Sequence, residues 1–265
     1  MSPGGAHGRR AVRLPLGRRA QAHPARARAW RRRRGVSVAI GWDRIGADLD
    51  AHGCAVVQGL IDARECRAYA GAYDDEARYR SRVVMERHGF GRGEYRYFGY
   101  PLPEGLAALR AALYEPLARI ANRWHEAMGI ETRFPARHGE FLARCHAAGQ
   151  QRPTPLILRY REGDYNCLHQ DLYGEHVFPL QVAVLLSQPR EDFTGGEFVL
   201  TEQRPRMQSR VEVVGLGQGD AVIFPVNQRP LNGTRSVYRV SMRHGVSRLL
   251  SGQRHTLGII FHDAE

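Results

Sequence analysis

The chain has 265 residues, of which 39 are basic and 27 acidic, for a formal charge of +12. That length supports a full hydrophobic core and one domain of about 200 to 230 residues once an unusual N-terminus is set aside. The charge is local: residues 1–35 hold eleven Arg and no acid, leaving 28 basic against 27 acidic side chains elsewhere, which excludes a basic footprint spread over the body of the chain.

Every basic residue is Arg and none is Lys, which reads as genomic codon bias rather than chemistry. The four cysteines (Cys54, Cys66, Cys145, Cys167) form no CxxC pair and follow no secretory signal, so a reduced, cytoplasmic protein is expected. Cys145-His146 and Cys167-x-His169 match no usual structural zinc spacing. The longest apolar runs, such as Val182 to Leu186, have strand length, so no membrane span is expected.

In chain order, residues 1–35 mix Pro, Gly, Ala and Arg without a periodic apolar face, and burial cannot offset the entropy of ordering them. They are expected to be a disordered Arg-rich extension; an electrostatic arm for nucleic acid, an organelle address and a mis-assigned start codon remain alternatives. Residues 36–265 form the expected single domain, with helical support over 36–150 and a β core over 153–265. Trp42, Ile45 and Leu49 have helical spacing, and Gly53 to Leu60 reads as a short strand ending in a turn. A helix should follow, capped by Asp62 with Glu65 at the reciprocal position and reaching about Tyr73.

Tyr79 to Pro103 is rich in Arg, Gly and aromatics and shows neither period, so it reads as a structured loop, either a surface connection or a wall over a site. Leu106, Leu109, Leu113, Leu117, Ile120 and Trp124 predict a helix to Met128 with a bend at Pro116. A further short helix is expected over Phe134 to Cys145. Beyond Pro155 eight runs read as strands: Leu156–Tyr160, Tyr165–His169, Pro179–Ser187, Gly196–Thr201, Val211–Leu216, Asp220–Pro225, Ser236–Val246 and Gln253–His262. Eight short strands with no long helix between them predict an α+β fold, a jelly-roll core with N-terminal helices packed on it.

Two residues at the end of the second run and just beyond it carry the chemistry. His169 and Asp171 stand at i and i+2, the spacing that points both side chains from one side of a strand, so both can reach one ion. A third ligand must come from elsewhere, and His244 in Arg239-Val-Ser-Met-Arg-His-Gly-Val246 is preferred over His255 and His262 because Arg254 follows it by ten residues. Two imidazoles and one carboxylate leave three adjacent positions on an iron free.

The set His169-x-Asp171, distal His244 and then Arg254, within an eight-strand β pattern, resembles the Fe(II)/2-oxoglutarate-dependent dioxygenases, with a prolyl 4-hydroxylase-like layout that includes the Gly195-Gly-Glu-Phe198 turn. The resemblance implies a double-stranded β-helix, and Fe(II), 2-oxoglutarate and O2, with ascorbate as a candidate reductant. It implies oxidative decarboxylation of 2-oxoglutarate to succinate and CO2, coupled to hydroxylation of a small-molecule or protein substrate. Metal ligation falls to His169, Asp171 and His244. Arg254 suits the far carboxylate of 2-oxoglutarate, because a planar guanidinium pairs bidentately and stays charged when buried; Tyr160 and Thr256 are further cosubstrate candidates.

Locally, Arg159 to Asp171 is also similar to the alkylated-nucleic-acid demethylases of the AlkB type, which carry a second Arg six residues after the cosubstrate Arg, where this chain has Ile260. Nucleic-acid demethylation is therefore the alternative activity and not the favoured one. A metal- or ligand-binding jelly roll without turnover is the alternative of another class. Arg204, Arg206 and Arg210 around Met207 read as a solvated hairpin.

Overall fold

A computed structural model describes residues 40–172, 174–233 and 236–265. The Arg-rich extension over 1–35 lies outside the described residues. Among the described residues, four α-helices lie before residue 150, interspersed with short strands: α1 (Trp42–His52), α2 (Ala63–Gly71), α3 (Glu104–Ala127) and α4 (His138–Ala147). The Asp62 carboxylate accepts from the Glu65 amide at 2.8 Å, so α2 starts where its cap predicts. Pro116 lies within α3, which buries Leu106, Leu109, Leu113, Leu117 and Trp124 on one face. The helix expected from Phe134 starts later, at His138. Phe134 instead anchors the preceding segment, exchanging backbone hydrogen bonds with the Asn122 side chain at 2.7 and 2.9 Å.

All eight predicted β runs form strands: β5 (Leu156–Arg161), β6 (Tyr165–His169), β7 (Leu180–Leu185), β9 (Phe198–Gln203), β10 (Arg210–Val214), β11 (Ala221–Pro225), β13 (Val237–Val246) and β14 (Leu249–Ile259). They divide into two antiparallel sheets. One has the core order β11-β7-β14-β5 and the other β10-β9-β13-β6. Four strands facing four, with the chain crossing repeatedly between sheets, is the jelly roll that the sequence predicts. The α+β class follows from the helices, which pack on the outer face of the first sheet: α3 side chains share one apolar cluster with Val182, Val184, Ile223, Leu257 and Ile259.

The segment 79–103 is a correction, since it is largely strand rather than loop. β2 (Tyr79–Val84) and β4 (Glu94–Phe98) pair with each other and β4 pairs with β5, while β3 (Gly91–Arg92) pairs with β6 in the opposite sheet. Its alternation is hidden because arginines do apolar work there. The Arg80 guanidinium lies 4.4 Å from the Tyr97 ring centre and that of Arg96 4.8 Å from Tyr73, so charged residues occupy packed positions. Three more short strands complete the sheets: β1 (Ala55–Val57), β8 (Phe193–Gly195) and β12 (Gln228–Asn232), the last two in stretches expected to be connections.

β7 is buried along its whole length. Its even residues face the helices and its odd residues, Gln181, Ala183 and Leu185, face the space between the sheets. That interior holds two apolar clusters, one around Phe198, Leu200, Phe224 and Met242 and the other around Tyr160, Leu185, Phe193 and Leu249. The polar side chains discussed below are inserted among them. No described helix is long and apolar enough to cross a membrane.

Candidate metal centre and cosubstrate pocket

His169 is the last residue of β6, and His244 lies opposite it on β13 as its cross-strand partner. Their rings stand 4.1 Å apart, centre to centre. Asp171 lies two residues beyond the end of β6 and places Oδ1 3.4 Å from His169 Nε2 and Oδ2 3.4 Å from His244 Nε2. One ligand atom from each residue lies within 4.8 Å of the others, and this trio is the potential metal-holding group found among the described residues. The cysteine-containing zinc alternative is not assembled: His146 pairs with Asp263 at 2.8 Å, and Cys145 is buried within α4.

The protein fixes these ligands through their neighbours. The Cys167 carbonyl can only accept, so His169 Nδ1 carries a proton and donates to it at 2.8 Å, which turns Nε2 toward Asp171. Between the ligands, the Gln170 amide donates to the Met242 carbonyl at 2.8 Å and to Asn227 Oδ1 at 2.9 Å, tying the segment to β13. Beyond Asp171, the Gln150 side chain accepts from the His176 amide at 2.7 Å. Burial alone would push the Asp171 carboxyl up, but hydrogen bonds from both imidazoles hold it well below the usual carboxylate range. Burial lowers His244, whereas Asp171 outweighs burial at half-exposed His169 and raises it. The trio is thus a carboxylate with two nitrogen donors, the charge balance a divalent cation requires.

Toward the other end of the barrel, Arg254 and Tyr160 are cross-strand partners on β14 and β5. Arg254 is 2% exposed, and among the described residues no carboxylate lies within ion-pair distance of it. Its Nη1 donates to Thr256 Oγ1 at 2.5 Å, while its Nε and the Tyr160 hydroxyl are buried without partners. Burial lowers the guanidinium to about 10, which still leaves it charged at neutral pH. A buried cation with spare donors and no counter-ion is costly unless an anion is meant to arrive. Gly196 lets backbone approach this group closely: its φ is 65°, and a Cβ there would sit 2.6 Å from Leu249 and 3.1 Å from Arg254 Cδ. A cavity of about 400 Å3, lined by Arg254, Leu185, Phe193, Phe198 and Leu216, adjoins it.

Every residue singled out for the site therefore falls in one of two groups inside one barrel: His169, Asp171 and His244, and Arg254, Tyr160 and Thr256. The rival histidines lie elsewhere. The His255 ring packs 5.5 Å from that of Tyr73, and His262 Nδ1 accepts from the Phe178 amide at 3.2 Å. Arg239 donates to the Met128 carbonyl at 2.6 Å, and Arg204 pairs with Glu202 at 2.8 Å, so neither serves the site. One side chain that touches this group has no signature in the sequence. Gln181, an amide within the apolar run of β7, donates to Asp171 Oδ2 at 2.8 Å.

A jelly roll with two imidazoles and a carboxylate at one end and a buried Arg without a carboxylate partner toward the other is the arrangement that the resemblance to Fe(II)/2-oxoglutarate-dependent oxygenases leads one to expect. Residues 93–264 match the sequence model of a family described as an oxygenase catalysing oxidative methylation of damaged DNA, and the chain belongs to that family. Two uncharacterised proteins of Mycobacterium tuberculosis, from strains CDC 1551 and H37Rv, are each 48% identical to it over 167 residues, spanning 63% of this chain and 72% of theirs. Among solved structures, a Pseudomonas putida prolyl-4-hydroxylase is similar with a TM-score of 0.49 and 16% identity, covering 82% of this chain and 96% of that one. A Burkholderia pseudomallei oxidoreductase of the 2OG-Fe(II) oxygenase family gives 0.49 and 17%, covering 84% and 93%.

Proposed function

We propose that His169, Asp171 and His244 hold the Fe(II) of this oxygenase, and that Arg254, with Tyr160 and Thr256, receives the far carboxylate of 2-oxoglutarate. The observation that carries this reading is Arg254, a buried guanidinium with an unpartnered Nε beside an unpartnered Tyr160 hydroxyl. These are the donors a carboxylate needs, Arg254 on β14, the strand next to β7, and Tyr160 across from it on β5. When bound, iron, 2-oxoglutarate and O2 supply the oxidising chemistry that couples decarboxylation to hydroxylation of a C–H bond.

The chain's own part is positional. Cys167 fixes the His169 tautomer, the two imidazoles keep Asp171 ionised, and Phe224, 4.7 Å from the His244 ring, walls one side against water. Ligand atoms gathered on one side leave the opposite side open to cosubstrate and substrate. With Fe(II), 2-oxoglutarate and ascorbate in air, the protein should release succinate, and His169→Ala should abolish the release; equal release by both proteins would sink the reading.

Two observations bear on the substrate. The family description favours damaged DNA. Against it, position 260, six residues beyond Arg254, is a buried Ile and not an Arg. Charge near balance beyond residue 35 suits a small-molecule or protein substrate better. Formaldehyde release from methylated single-stranded oligonucleotides decides: its appearance selects the nucleic acid, and its absence across all methylated bases selects the other classes.

A further inference from the structure

Gln181 sits beside the metal ligands in a position no structural demand explains. It faces the barrel interior from β7, opposite Phe224 on β11, and is 7% exposed. Its neighbours along the strand, Leu180, Val182, Ala183, Val184 and Leu185, are all apolar, so a hydrophobic side chain would fill the position at lower desolvation cost. Its Nε2 lies 2.8 Å from Asp171 Oδ2 and 3.2 Å from His244 Nε2, and its Oε1 is buried with no partner. The orientation of the amide follows from the carboxylate: Oε1 turned toward Asp171 would set two acceptors against each other.

We propose that Gln181 is a positioning residue for the metal centre, holding Asp171 by its Oδ2 so that the carboxylate ligates through Oδ1 alone. This rests on the reading of His169, Asp171 and His244 as metal ligands. His169 and His244 approach the two oxygens of Asp171 at the same distance, 3.4 Å. Nothing in the trio itself therefore prefers one oxygen. The amide breaks that symmetry. Once the His244 Nε2 lone pair is committed to an ion, Gln181 keeps its bond to Oδ2, and an oxygen accepting an N–H is the weaker ligand of the two. A carboxylate held to a single oxygen leaves one more position open for cosubstrate or substrate than one that clamps with both. The free Oε1 remains an acceptor inside the same pocket.

Gln181→Met tests this, because Met keeps the length and unbranched shape and deletes only the amide. Co(II) is titrated into wild type, Gln181→Met and Asp171→Ala, following the visible absorption of the bound ion, with thermal melts of each protein alongside. The expected result is a melting temperature near that of wild type, Co(II) affinity lowered about 10-fold or more, and a shifted absorption band reporting altered coordination. A folded Gln181→Met that binds Co(II) within about twofold of wild type with the same band overturns the proposal, provided Asp171→Ala has lost binding. If Asp171→Ala also binds as wild type, the metal reading itself fails, and this proposal with it. Should the Met variant not fold, Gln181→Leu is measured in the same way.

Discussion

A hydroxyl buried without a partner loses its water and gains nothing, so Tyr160 reduces stability in the free protein and must act through what it binds. Burial pushes it far above the usual tyrosine range, so it remains a protonated donor at any physiological pH. Tyr160→Phe should leave the melting temperature unchanged or slightly raised. The same change should raise the Michaelis constant for 2-oxoglutarate about 5- to 10-fold, the loss of one hydrogen bond worth about 1 to 1.5 kcal/mol. An unchanged constant would remove Tyr160 from the pocket. At this scale the candidate residues are legible in the sequence because each carries a chemical identity and a spacing: His169 and Asp171 at i and i+2, and Arg254 at a fixed interval from His244. Gln181 is not, because an amide within an apolar run has no spacing partner and acquires its meaning only where β7 crosses Asp171.

At the scale of elements, the site depends on how closely β13 approaches β6. Gly245, beside His244, has no room for a side chain: a Cβ would lie 2.7 Å from the Asn166 carbonyl and 3.3 Å from Cys167 backbone. Those are backbone atoms of the strand that carries His169, so they cannot move aside without moving a ligand. Gly245→Ala should destabilise the protein by about 1 to 3 kcal/mol, seen in chemical denaturation, and weaken Co(II) binding at the same time. Stability lost with metal affinity retained would show that the ligand pair tolerates strand separation.

The eight core strands could be read because apolar alternation and Gly, Pro or Asp breaks coincide. The β2–β4 hairpin could not, because Arg80 and Arg96 stack on tyrosine rings and so present charge where packing would predict carbon. The late start of α4 was likewise invisible, since Phe134 is apolar whether it opens a helix or pins the strand-like segment before it.

Across the whole molecule, buried ionisable groups set the response to acid. Burial lowers His138 to about 3 and His255 and His262 to about 4, so the folded chain keeps them neutral while the unfolded chain protonates them near the ordinary histidine range. Between that range and about pH 4 the unfolded state binds more protons, and stability falls as pH falls. Although burial opposes it, Glu94, bonded to Arg82 and Arg159, and Glu202, bonded to Arg204 and Arg229, are held below the usual carboxylate range. Their stabilisation is present above the ordinary glutamate value and lost below it, the same sign. Thermal melts from about pH 7 to about pH 4.5 should therefore show a steadily falling melting temperature. A flat profile would contradict the burial of these histidines.

The central claim is that one barrel holds a metal at one end and a carboxylate toward the other. Calorimetric titration of 2-oxoglutarate into the Mn(II)-loaded protein measures both ends together, comparing wild type, Arg254→Met and Asp171→Ala. The account predicts binding to wild type, affinity lower by about 100-fold or more in Arg254→Met, as expected when a buried ion pair loses one partner, and no metal-dependent binding in Asp171→Ala. Equal affinity in wild type and Arg254→Met would contradict it.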